Sequence, residues 1–167
     1  TIKKTWAPKG ERATIETSGL FEYIAVIGAI IYTPETHSLN LQWKTQRYDF
    51  ETESICGFLE SIALENPQKT IFLLDNWSPH KTALEKLEED LNETTTEFDI
   101  EWFPEYASGI NPVDNVWGQA KYNELPNFAP ENLEKLELKV KEALTEIQAD
   151  EDLLRYFVED AGLEIKG

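Results

Sequence analysis

Short apolar runs alternate with longer amphipathic stretches along this chain, a rhythm that predicts an α/β or α+β domain. Tyr23 to Tyr32 is rich in Ile and Val and reads as a buried strand. After Pro34, residues Ser38 to Gln46 alternate Leu39, Leu41 and Trp43 with Asn40, Gln42 and Lys44, the period of a half-buried strand, so the two runs suggest a hairpin. From Asp49 the period changes. Phe50, Ile55, Phe58, Leu59 and Ile62 recur at helical spacing until Asn66-Pro67 closes the segment. Lys69 to Asp75 is a brief apolar run ending on an acid, with Pro79 beyond, and predicts a buried strand that stops at Asp75-Asn76. His80 to Asn92 places Leu84, Leu87 and Leu91 on one helical face, and Ile100 to Phe103 reads as a strand broken by Pro104. Asn111-Pro112 opens a third helix through Glu124, and Leu133 to Ile147 with Leu153 to Val158 predict a helical end. Earlier, Ala7-Pro8-Lys9-Gly10 is a turn signal before a short strand at Ala13 to Thr17. No repeat or linker interrupts the pattern, so one domain over residues 1–167 is expected, a core to 127 and a helical extension from 128.

Composition narrows the class. A chain of 167 residues, 41% of them apolar, suits one domain with a sizeable core. The one cysteine, Cys56, lies in the apolar stretch Ser54 to Leu59 and reads as a small buried residue of a reducing compartment. The longest apolar run is far shorter than the ~20 residues of a membrane helix, and the polar start Thr1-Ile2-Lys3-Lys4 lacks a signal-peptide apolar region, so a soluble, intracellular protein is expected. With 32 acids against 15 Lys plus Arg, the net charge is -17, a field that repels phosphate backbones over much of the surface. Any contact with nucleic acid must be local. The acids cluster from Glu85 to Glu101 and from Glu131 to Glu164, whereas the opening carries Lys3, Lys4, Lys9 and Arg12.

Two acids stand where chemistry is plausible. Asp75 ends an apolar strand, the place where open α/β sheets bind ligands, although Asp-Asn before Pro is also ordinary turn chemistry. Asp114 falls third in the helix opened by Pro112, where a carboxylate also serves as a capping-box residue. Local sequence leaves both alternatives open. No Gly-rich phosphate loop or nucleophile elbow supports a phosphatase or hydrolase built on Asp75.

Four elements together resemble a known family. Thr5-Trp6-Ala7-Pro8-Lys9-Gly10, then Leu74-Asp75-Asn76 with His80, then Pro104-Glu105-Tyr106, then Asn111-Pro112-Val113-Asp114-Asn115-Val116-Trp117 leading to Lys121 follow the order seen in bacterial insertion-sequence transposases related to mariner, of the DDE superfamily of endonucleases. They cover roughly two thirds of the chain, and each alone is a weak signal. The resemblance implies a ribonuclease H-like fold, a mixed sheet flanked by helices, and DNA strand cleavage and transfer at transposon ends. It also implies three carboxylates holding two divalent metals, Mg²⁺ or Mn²⁺, and assigns the second to Asp75 and the third to Asp114, where many relatives have Glu. Metals about 4 Å apart serve the attacking and leaving oxygens of the phosphodiester, and hard Mg²⁺ selects oxygen ligands. Asn76 and His80 match positions beside the site. Lys81 and Lys121 are candidate phosphate contacts, while Trp6, Trp77, Trp102 and Trp117 read first as core or core-edge aromatics.

The chain also departs from the family pattern. The family's first Asp lies upstream of the Thr5 to Gly10 motif, and neither Glu11 nor Glu16 matches it, so the first strand and first carboxylate are expected to be missing. The loop Tyr106 to Pro112 lacks the Pro that often follows its small residue, and the interval from Asp75 to Asp114 is slightly longer than the mariner-type one. The expectation is an incomplete or remnant transposase without the upstream helix-turn-helix region, with a strand-exchanging homodimer as another way to fill the gap. The rival from another class is a non-catalytic, acidic, ribonuclease H-like remnant or protein-interaction module.

Overall fold

The computed structural model describes residues 23–66, 69–91, 97–104, 109–125 and 128–165, which fall into two compact units. One unit is built from residues up to Tyr48 and from Pro112 onward, the other from Asp49–Asn111. The strand expected at Ala13 to Thr17 lies outside the described residues. The fold is mixed α/β, and among the described residues the four strands form two separate two-stranded sheets.

In the first unit, β1 (Ala25–Thr33) and β2 (Ser38–Gln46) make the expected antiparallel hairpin, with Gly28 opposite Trp43, Ile30 opposite Leu41 and Tyr32 opposite Leu39. β1 is half-buried along its whole length rather than enclosed as its continuous apolar run suggests. One face of the hairpin packs on a cluster that includes Leu39, Leu41, Val116, Leu144, Ile147, Leu154 and Phe157. The other edge of β2 is covered by side chains. Leu39 N–H donates to Glu151 Oε1 at 3.1 Å, Gln148 Nε2 donates to Leu41 O at 2.5 Å, and Arg155 Nη2 donates to His37 O at 2.7 Å. Backbone groups that would otherwise recruit a further strand are thereby occupied. These side chains come from the corner where Asp150 ends one helix and caps the next, its side chain accepting from Leu153 N–H at 3.0 Å.

The helices of this unit are α3 (Pro112–Gln119), continued by a π-helical turn Ala120–Glu124, then α4 (Leu133–Ala149) and α5 (Glu151–Asp160). α4 starts because Asn132 accepts from Lys135 N–H, and α5 stops at Gly162, whose φ of 77° suits a residue without a Cβ. Trp117 closes over β1 at Gly28, where an added Cβ would stand 2.9 Å from the indole Cη2 and 3.2 Å from Gln42 O.

In the second unit, α1 (Thr52–Glu65) and α2 (Ser78–Leu91) pack on each other and bury Ile55, Cys56, Phe58, Leu59, Ile62, Ala83, Leu84 and Leu87. The side chain of Leu91 lies outside the described residues. β3 (Thr70–Leu74) pairs in parallel with β4 (Phe98–Trp102), Phe72 opposite Ile100. The expected buried strand is corrected here, because Phe72 is buried while Ile71 and Leu73 are 63% and 41% exposed. Successive strand residues point to opposite faces, so the side chain that enters the core turns both neighbours outward.

Two outcomes follow from the first unit. Gly28→Ala should lower stability by about 1–3 kcal/mol, because the indole or the Gln42 carbonyl must move to admit the methyl. Denaturant unfolding measures this, and a smaller side chain at Trp117 should recover part of the loss. Glu137 accepts from Lys141 Nζ at 2.6 Å and Arg47 Nε at 2.8 Å, and these bonds, Lys141 first, hold its carboxyl below its usual 4.5. A depressed carboxyl contributes stability above its unfolded value and loses it as pH falls through the folded one. Glu137→Gln should therefore flatten the acid limb of an unfolding-midpoint profile below about pH 5.

Candidate metal and DNA site

Asp75 leaves the C-terminal end of β3, and Trp102 ends β4 beside it in the parallel register. The exit is set by backbone bonds. Phe103 N–H donates to Leu74 O at 2.8 Å, and Asn76 Nδ2 donates to Phe103 O at 2.7 Å. Phe103, buried at 5% exposure, anchors this corner in the apolar interior. Asn76 is thus a clamp across the strand ends.

Asp75 itself is exposed and uses one oxygen for local bonds. Oδ1 lies 2.7 Å from His80 Nδ1 and accepts from Trp77 N–H at 3.3 Å. A carboxylate only accepts, so His80 carries its proton on Nδ1 in this pair. The turn chemistry weighed for Asp75 is present, in the bond from Trp77 two residues on. That leaves Oδ2 unclaimed among the described residues. The first turn of α2 carries His80 to Asp75, and His80 and Lys81 N–H both donate to Trp77 O.

Trp77 is not the core or core-edge aromatic expected from its type. The residue is 52% exposed, with its ring in a T-shaped contact with His80 at 5.2 Å and 90°. The signal was available, since Asp75-Asn76-Trp77-Ser78-Pro79 sets this indole among turn residues, outside every apolar run. Trp102 and Trp117 are half-buried. Lys81 is exposed, its Nζ 5.6 Å from the centre of the Trp102 ring, so a cation and two indoles share the strand-end corner with Asp75.

Asp114 belongs to the other unit, with Lys121. Val116 and Ala120 bury one stripe of α3 and its continuation, Trp117 packs on the same cluster, and Asn115 Nδ2 donates to Phe157 O at 3.3 Å. Asp114 lies off that stripe and is exposed. Lys121 is exposed as well, on the π-helical turn, where seven residues after Asp114 no longer make two regular α-turns. The Thr5 to Gly10 motif, the basic opening with Trp6, and Glu105-Tyr106 lie outside the described residues.

The donor chemistry of Asp75 fits a hard divalent cation, being an exposed carboxylate with one oxygen unclaimed among the described residues. It is one ligand. No group of three or more His, Cys, Asp or Glu side chains that could hold a metal occurs among the described residues. Nor does any described helix have the length and apolarity to cross a membrane.

A family model described as DDE superfamily endonuclease matches residues 1–137. The chain belongs to that family. No curated protein and no solved structure matches it. DDE superfamily endonucleases act on DNA and generally use divalent metals, and the match spans Asp75, Asn76, His80, Lys81, Asp114 and Lys121.

The Asn76 clamp has a measurable consequence. Asn76→Asp would set a carboxylate oxygen against the Phe103 carbonyl in place of a donor, and should lower stability by about 1–3 kcal/mol, more than Asn76→Ala. Thermal or denaturant unfolding of the two variants decides it, and equal losses would show that repulsion between the two oxygens adds nothing to the loss of the donor.

Proposed function

We propose that this DDE endonuclease chain is the ribonuclease H-like catalytic domain, one domain over residues 1–167, of a transposase related to mariner and of insertion-sequence type. It performs divalent-metal-dependent DNA strand cleavage and strand transfer at transposon ends, in the bacterial cytoplasm. The observation that supports this most is Asp75: an exposed carboxylate at the C-terminal end of a parallel pair, one oxygen fixed by His80 and Trp77, the other unclaimed among the described residues. Asp75 and Asp114 would hold the metal, Mg²⁺ or Mn²⁺. When bound, such ions supply Lewis-acid activation of the attacking hydroxyl and of the leaving oxygen.

The chain's own residues do the positioning. His80, donating from Nδ1 to Oδ1, fixes the rotation of the Asp75 carboxyl. Asn76 holds the turn that carries Asp75 against the end of β4. Lys81 and Lys121 contact phosphates of the DNA backbone, the first held near the strand ends by Trp102. The second reading, a non-catalytic acidic module that binds protein, is favoured by the net charge of -17.

Calorimetric titration with Mg²⁺ or Mn²⁺ separates the two. Specific binding by the chain should be lost in Asp75→Ala and in Asp114→Ala. Both side chains are exposed, so unfolding should change by about 1 kcal/mol or less. Tight binding retained in both variants would overturn the site assignment, and no binding by the chain would favour the interaction module.

A further inference from the structure

We propose that Trp77 is a stacking platform for an unpaired base of the DNA strand held at the Asp75 corner, an inference that rests on the DNA-cleaving reading above. Three observations carry it. Trp77 is 52% exposed, an unusual place for a residue with so large an apolar ring in a turn that has polar alternatives. Its backbone is nonetheless pinned on both sides, with N–H donated to Asp75 Oδ1 at 3.3 Å and the carbonyl accepting from His80 N–H at 3.0 Å. Its ring meets His80 edge-to-face at 5.2 Å. His80 also binds Asp75, so one imidazole fixes the carboxylate and the indole together. An indole met by His80 in one T-shaped contact and still half in solvent keeps area to offer a base, and Lys81 on Trp102 supplies a positive charge at the same corner.

Bases in an intact duplex have their faces covered by their neighbours. A stacking indole therefore selects DNA that is frayed, nicked or single-stranded. The phosphodiester next to an unstacked base is the one brought to Asp75. Trp77 is then a positioning residue that chooses the structural state of the substrate rather than its sequence.

The test is anisotropy titration of the whole chain in Mg²⁺ with three labelled probes of one length: a single strand, the same strand made abasic, and the strand annealed to its complement. The chain should bind the single strand about tenfold more tightly than the abasic one. Trp77→Ala should abolish that preference while leaving abasic and duplex binding within about twofold, and Trp77→Tyr should restore it. A preference for bases that survives in Trp77→Ala would overturn the platform while leaving the DNA reading intact. Failure of the unaltered chain to bind any probe would overturn both. A circular dichroism spectrum equal to that of the unaltered chain establishes that each variant is folded.

Discussion

The end of the β3–β4 pair is held by two hydrogen bonds that meet on one buried residue. Phe103 gives its N–H to Leu74 and receives the Asn76 amide on its carbonyl. Continued alternation would carry Asp75 onto the same face as Ile71 and Leu73. The Asn76 clamp turns the chain instead, and the first turn of α2 then returns His80 to the carboxylate. Each polar contact at the corner depends on that turn, and the turn depends on Phe103 being fixed in the apolar interior. The carboxylate thus takes its position from the sheet, although it stands in solvent.

The other unit solves the same problem by a different route. Asp114 is held by a helix whose opposite stripe, Val116 and Ala120, is buried, and by Trp117 seated over a glycine. Burial of that stripe fixes the rotation of α3 about its axis, and rotation decides where Asp114 points. The hairpin under it is finished as well. Gln148, Glu151 and Arg155 occupy backbone groups along β2 and its loop, so this edge is closed by a helical corner and not by a further strand.

How much of this the sequence discloses depends on whether a feature is local. The hairpin was legible because period two over Leu39, Leu41 and Trp43 needs only the chain's own pleat, and α2 because its leucines repeat at helical spacing. The end of β3 at Asp75 was legible too, since an acid followed by Asn and a nearby Pro cannot prolong a buried strand. What stayed hidden were properties that belong to neighbours. Ile71 and Leu73 look like core residues until one asks what covers them, and Phe72 alone turns inward. Trp77 was misread by residue type, because tryptophan is usually buried, although its place among turn residues outside every apolar run marks this one as displayed. The π-helical turn at Ala120–Glu124 has no mark in its composition. For the candidate site, the motif order pointed to Asp75 and Asp114, but nothing in spacing could reveal that His80 and Trp77 share one carboxylate oxygen.

A net charge of -17 bears on what kind of DNA contact such a chain can sustain. Repulsion between exposed charges is screened over ~8 Å at physiological ionic strength, so it weakens approach most at low salt and least within a packed contact. Phosphate contacts by a few lysines lose strength as salt rises, because their gain is the release of counterions. Stacking on an indole carries no such dependence. Lys81 and Trp77 are therefore complementary at the Asp75 corner, one a charge that works against the field of the whole molecule, the other a surface indifferent to it. An acidic protein has more use for the second than a basic one does, since a basic face already holds DNA in any state of pairing. Where the backbone charge is opposed at long range, a short-range contact that requires an exposed base makes the condition of the strand, and not its charge, the quantity that is read.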